Sequence, residues 1–122
     1  MMKILVFEDQ DSIRKMIEAL VQARGYRVLA ASSGAQALEL ATVETPHVAL
    51  LDLPMPGEFD GFEVCRRLRA APNTADVPIV IVTALDDDES RRKAKEAGAT
   101  AYYTKPFSPL ALLKEIEKFK PA

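Results

Sequence analysis

The chain has 122 residues, 48% of them hydrophobic and 28% charged, with a net charge near −2 at neutral pH. That is enough for one substantial core and ordinary for a soluble globular domain. The slightly acidic balance speaks against non-specific nucleic-acid binding, which needs a basic surface. No apolar stretch nears the roughly 20 residues of a membrane span, so no membrane insertion is expected. The start lacks a signal peptide's cleavage region. One cysteine excludes an internal disulfide and makes the cytoplasm the expected compartment.

The first apolar run, residues 4–7, is continuous, as a parallel strand covered on both faces must be, and it ends at Glu8 and Asp9. Ile13, Met16, Ile17, Leu20 and Val21 then recur at three or four residues, the pattern of one buried helix face, with Gly25 placed to end it. A weaker run, 28–31, begins after Arg27 and suits an edge strand. Ser33 and Gln36 fit a capping box ahead of Ala37, Leu38, Leu40 and Ala41. Pro46 precedes a third run, Val48–Leu51, which ends at Asp52. His47, at the opposite end of that run, reads as an exposed surface residue and not as a phosphodonor.

Asp60 and Glu63 repeat the capping-box pattern before Phe62, Cys65 and Leu68. At that spacing Cys65 is a small packed side chain, not a reactive thiol. Pro78 precedes a fourth run, 79–82, which ends at Thr83. Acids from Asp86 to Glu89 followed by Arg91, Arg92, Lys93 and Lys95 complement a helix dipole, with Ala94 and Ala97 inward and Gly98 at the end. A fifth run, 99–103, leads to Lys105. Ser108-Pro109 then opens a last helix with Leu112, Leu113, Ile116 and Phe119 inward. Alternating elements of this length predict a doubly wound α/β fold, a parallel sheet with helices on both faces. With no internal repeat or linker, residues 1–122 read as a single domain without an effector domain.

In an open α/β sheet the ligand crevice lies outside the carboxyl ends of the strands. Glu8, Asp9, Asp52, Thr83 and Lys105 all fall at such ends. Singly these residues mean little: an Asp after a strand is ordinarily a cap, and a Lys before Pro is ordinarily surface. Together they are the parts needed to hold a divalent cation and a phosphoryl group. A carboxylate nucleophile and a phosphoryl group are both negative and meet only when cations neutralise them. Three carboxylates offer hard oxygen ligands suited to Mg²⁺. Lys105 adds a fixed positive charge, Thr83 a hydroxyl donor, and Asp52 can attack to give an aspartyl phosphate.

The stretches Ile4-Leu5-Val6-Phe7-Glu8-Asp9, Leu50-Leu51-Asp52-Leu53-Pro54-Met55-Pro56, Val80-Ile81-Val82-Thr83-Ala84 and Tyr102-Tyr103-Thr104-Lys105-Pro106-Phe107 stand in this order along the chain. In order and spacing they resemble the receiver domain of two-component response regulators, over the whole length. The resemblance implies a flavodoxin-like (βα)5 fold with sheet order 2-1-3-4-5. It implies phosphoryl transfer to Asp52 from a sensor histidine kinase or phosphotransfer protein, with Thr83 and Lys105 binding the phosphoryl group. For Mg²⁺ it implies Asp9, Asp52 and the Pro54 carbonyl as ligands, with Glu8 acting through water. Tyr102, on its own a packed aromatic with its hydroxyl at the surface, falls at the switch-aromatic position and moves with Thr83. A cis bond before Pro106 is implied, as is output by a downstream protein docking near the fourth and fifth helices, from a monomer or weak dimer. Tyr103 reads as core or helix-packing.

Two departures stand out. The segment from Asp52 to Asp60-Gly61 is one residue longer than the family pattern, the extra residue lying within Gly57-Glu58-Phe59. The positions two beyond the acceptor and two beyond the threonine, which tune dephosphorylation in the family, are Pro54 and Leu85. Neither can place an attacking water, so a long-lived phosphoryl state is expected.

Other functions fit less well. A well-known family of aspartyl-phosphate phosphatases and phosphotransferases has a second aspartate two residues after the nucleophile, where this chain has Pro54. A flavin- or nucleotide-binding protein would want a glycine- or hydroxyl-rich loop after the first strand, and Glu8-Asp9-Gln10-Asp11 repels phosphate instead. A phosphorylation-independent pseudo-receiver binding module is the remaining alternative.

Overall fold

Strands buried on both faces have no polar side to spare, and the three central strands here are apolar at almost every position. The computed structural model describes residues 1–121. The last residue of the expected domain, Ala122, lies outside them. The elements alternate strictly along the chain: β1 (Lys3–Phe7), α1 (Asp11–Gln22), β2 (Arg27–Ala31), α2 (Gly34–Glu44), β3 (Val48–Leu51), α3 (Gly61–Ala70), β4 (Ile79–Thr83), α4 (Asp88–Ala97), β5 (Ala101–Thr104) and α5 (Pro109–Glu117). The strands form one parallel sheet of order β2-β1-β3-β4-β5, as expected, with β2 at an edge. The core divides into two layers, one on each face. Leu5, Phe7, Leu51, Ile79 and Ile81 pack on one side with Phe62, Cys65 and Leu68 of α3. Ile4, Val6, Leu50, Val80 and Val82 pack on the other with Ile17, Val21, Leu112 and Ile116 of α1 and α5.

The capping residues act largely as their spacing predicts. Ser33 Oγ accepts from the Gln36 N–H, but the Gln36 side chain returns to the Ser32 N–H, one residue before the expected partner. Asp60 caps α3 through the Glu63 N–H, whereas the Glu63 carboxylate turns away to Arg66 and Arg67, so only half of that capping box forms. Ser108 caps α5 through the Ala111 N–H. Gly98 ends α4 in the left-handed region, where a glycine is free of Cβ strain.

Three expectations need correcting. The fifth strand begins at Ala101, because the Ala99 N–H closes the end of α4 on the Ala94 carbonyl. Met16 lies at the rim of the α1 stripe and is 43% exposed, while Ile17 and Val21 carry the buried face. His47 is half-buried, not exposed: its Nδ1 accepts the Lys3 N–H at 2.8 Å, completing the start of the β1–β3 ladder. It nonetheless lies at the strand end away from Asp52, as expected. Cys65 is buried and donates to the Ala97 carbonyl at 3.3 Å, and burial pushes its thiol up to about 11. Among the described residues no helix is long and apolar enough to cross a membrane.

Candidate functional site

Sheet register brings the polar strand ends level. Phe7 pairs with Leu51, and the Asp52 N–H donates to the Phe7 carbonyl at 3.0 Å, so Glu8 and Asp52 leave the sheet side by side. Thr83 pairs with Thr104, and the Lys105 N–H donates to the Thr83 carbonyl at 2.8 Å, which sets Lys105 beside the end of β4. The peptide before Pro106 is cis, as the resemblance implied.

Lys105 turns back across this edge. Its Nζ donates to Glu8 Oε1 at 2.6 Å and to Asp52 Oδ2 at 2.9 Å. Glu8 is 2% exposed and Asp52 6%, so one ammonium faces two carboxylates that water scarcely reaches. Two backbone donors assist: the Gln10 N–H binds Glu8 Oε2 at 3.1 Å and the Leu53 N–H binds Asp52 Oδ1 at 2.8 Å. Burial nonetheless dominates at Glu8 and raises its carboxyl above the usual range, against the lowering effect of Lys105 and Gln10. For Lys105, burial acts downward, and the hydrogen bonds to Glu8 and Asp52 outweigh it and hold the ammonium above its ordinary value. The site thus carries more negative charge than its one lysine balances, and more cation would stabilise it.

Asp9 is exposed beside this pair. One carboxylate oxygen from each of Glu8, Asp9 and Asp52 lies within 4.8 Å of the other two, a spacing one cation can span. The donor set is all hard oxygen and suits Mg²⁺ better than a thiophilic metal. Pro54 is exposed in the loop after Asp52. Thr83 is fully buried, and its Oγ accepts a long 3.4 Å bond from the Leu85 N–H. Tyr102 donates its hydroxyl to the Leu85 carbonyl at 2.7 Å. Tyr103 points to the other face and donates to Glu115 of α5, the helix-packing place expected for it.

Two supporting features escaped the sequence reading. A Cβ on Gly61 would fall inside the Asp52 carbonyl oxygen, so only glycine lets α3 start so close to Asp52. The Asp-Gly pair was visible as a helix start, but which backbone it must approach was not. Arg91 was assigned to dipole compensation, whereas its guanidinium also stacks 4.6 Å from the Tyr102 ring centroid. Nothing in the sequence pairs those two residues.

The chain matches the family model described as the response regulator receiver domain over residues 4–117. It is 44% identical over 115 residues to a probable transcriptional regulator, ycf27, of Porphyridium aerugineum, covering 94% of this chain and 45% of that protein. This chain therefore spans about half the length of that relative. The structure of chemotaxis protein CheY4 of Vibrio cholerae superimposes with a TM-score of 0.91 at 33% identity, covering 98% of this chain and 99% of that one. The receiver domain of the sensor histidine kinase PA1611 of Pseudomonas aeruginosa, which holds a magnesium ion in its active-site cleft, gives a TM-score of 0.88 at 31% identity, covering 97% and 96%. By sequence, by sheet order and by the acidic crevice at the strand ends, the chain belongs to the receiver domain family of two-component response regulators.

Proposed function

We propose that this receiver accepts a phosphoryl group on Asp52 and converts it into a change of its partner-binding surface. The observation that carries the reading is Lys105 bridging buried Glu8 and Asp52, with exposed Asp9 alongside. Asp9, Asp52 and the Pro54 carbonyl would hold Mg²⁺ directly. Glu8, with Oε1 on Lys105 and Oε2 on the Gln10 N–H, would act through water. The ion, when bound, supplies charge neutralisation at the phosphoryl oxygens.

The chain's own groups divide the remaining work. An Asp52 carboxylate oxygen attacks phosphorus as the P–N bond of a phosphohistidine breaks, its electron pair passing to the departing imidazole. The donor is a sensor histidine kinase or a phosphotransfer protein. Lys105, released from Asp52 Oδ2, follows the charge to a phosphoryl oxygen. Thr83 exchanges its weak bond from the Leu85 N–H for donation to another. Movement of Thr83 shifts the Leu85 segment, and with it Tyr102 and the face formed by α4, β5 and α5, where a downstream protein docks. No separate substrate is turned over. The protein phosphorylates and dephosphorylates only itself.

The test is intact mass after incubation with a small phosphoryl donor, with and without Mg²⁺, on wild type and Asp52→Asn. A Mg²⁺-dependent gain of one phosphoryl mass, absent in the variant, is expected. No gain in folded protein with metal present would mark a phosphorylation-independent binding module.

A further inference from the structure

The loop between β3 and α3 is where this chain departs from the receiver pattern, and the structure shows what the longer loop rests on. At its start the Leu53 carbonyl accepts both the Met55 N–H, at 3.0 Å, and the Gly61 N–H, at 2.9 Å, which draws the two ends of the loop together. Between them Phe59 is partly buried against the core layer formed with α2 and α3. Its backbone lies against Gly34, the first residue of α2: a Cβ on Gly34 would come within 2.5 Å of Phe59 Cβ and 2.6 Å of its carbonyl oxygen. The outer face of the Phe59 ring is covered by the Arg67 guanidinium, 4.2 Å from the ring centroid. Arg67 is itself held by Glu63, one turn earlier on α3, at 3.0 Å. The loop is therefore clamped between two helices, with Pro54 standing exposed on the span between the clamp and Asp52.

We infer that Phe59, seated on Gly34 and covered by Arg67, is a positioning residue for the divalent-cation site. It fixes the loop that carries the Pro54 carbonyl without touching the ion. The inference rests on the metal-site reading above and deepens it by assigning what holds one ligand in place. A loop ligand is useful only if its approach is fixed in advance, because ordering it on binding would cost affinity. Glu8, Asp9 and Asp52 sit at strand ends and need no such help. Pro54 is exposed, and the loop that carries it is held to the core by buried Leu53 and Met55 and, further along, by Phe59. Phe59→Ala removes the ring that packs on the core beneath Arg67 and loosens the loop. Gly34→Ala presses instead on the Phe59 Cβ and carbonyl oxygen, atoms that cannot yield cheaply, and so displaces the loop.

The test is calorimetric titration of Mg²⁺ itself into wild type, Phe59→Ala, Phe59→Leu, Gly34→Ala, the double Gly34→Ala/Phe59→Ala variant and Asp52→Asn, with thermal unfolding of each apoprotein. Phe59→Ala is expected to weaken Mg²⁺ by about tenfold, the low end of what lost outer support costs metal sites. Phe59→Leu, which still fills the seat, should recover most of that. Because Gly34→Ala meets the Phe59 Cβ and carbonyl oxygen, which alanine retains, the double variant should bind no better than the weaker single. Wild-type affinity in folded Phe59→Ala or in folded Gly34→Ala would overturn the inference. If instead wild type fails to bind Mg²⁺, or Asp52→Asn binds as well as wild type, the site reading itself falls, and this inference with it.

Discussion

The Tyr102 hydroxyl donates to the Leu85 carbonyl at 2.7 Å, so the aromatic side chain of β5 is tied directly to the loop that follows Thr83. The same ring is covered by Arg91, which bonds Asp86 at 2.8 Å in that loop. Tyr102 is therefore gripped at both its hydroxyl and its face by the segment any movement of Thr83 must displace. Burial raises its phenol above the ordinary value, which keeps it a donor at any physiological pH.

The first prediction concerns this grip. Tyr102→Phe is expected to lower stability by about 1 kcal/mol through the lost hydrogen bond. Arg91→Ala should cost less than Tyr102→Phe, since its side chain is exposed and the stacking is worth little in water. In a Tyr102→Leu background the Arg91→Ala cost should shrink, because its aromatic partner is gone. Urea unfolding of the set measures these values, and hydrogen exchange at residues 84–87 should quicken in Tyr102→Phe. Unchanged exchange there would separate Tyr102 from the loop.

The second prediction uses the tyrosines as pH probes. The chain has three, Tyr26, Tyr102 and Tyr103, and each is raised above its ordinary value. Burial, then the hydrogen bond to Glu115, pushes Tyr103 up to about 12. A raised phenol favours the protonated form in the folded state. Its contribution to stability is therefore whole below the unfolded value near 10 and is lost as pH rises toward about 12. Absorbance titration of native protein should show its last tyrosine step vanish in Tyr103→Phe and move to lower pH in Glu115→Gln.

How far the sequence carries depends on the kind of contact. Periodicity found the strands, the helices and the polar strand ends, because each depends on residues near in sequence and on one buried face. It placed the start of the fifth strand too early, since nothing local says that the Ala99 N–H is taken by the end of α4. It exposed His47, because a ring nitrogen standing in for a strand partner depends on which residue lies across the ladder. The acidic residues and Lys105 were legible as a set from their shared place at strand ends. The close approaches of Gly61 to Asp52 and Gly34 to Phe59 were not, because a missing side chain leaves no pattern until its neighbour is known.

The third prediction tests the closer of those approaches. Gly61→Ala places a methyl group on the Asp52 carbonyl and must move either α3 or Asp52. A loss of about 3 kcal/mol or more is expected, at the upper end for overpacking, because the obstacle is backbone. Gly57→Ala, four residues earlier, is the control. Its φ of +98° carries strain, but nothing lies within 4 Å of the added carbon, so about 1 kcal/mol is expected. Equal losses in urea unfolding would mean that backbone strain, and not the approach to Asp52, sets the cost.

The last prediction concerns how long a phosphoryl group stays on Asp52. Hydrolysis needs a water aligned behind phosphorus, and a nearby polar side chain can orient it or take its proton. The two side chains that the receiver pattern places for this are Pro54, which has no donor, and Leu85, which is half-buried and packs against the core. The Leu85 polar backbone atoms are engaged as well, its N–H with Thr83 and its carbonyl with Tyr102. Water in the crevice would find no side chain from either position to align it, and slow loss of phosphate is the expected outcome. Leu85→Gln keeps both backbone bonds while adding an amide two residues beyond Thr83. It should hasten dephosphorylation by about tenfold, well short of what a full general base contributes. The measurement is decay of the phosphorylated mass in Mg²⁺ after removal of the donor. Fast decay in wild type, unaltered by the glutamine, would mean that water is aligned by groups other than these two.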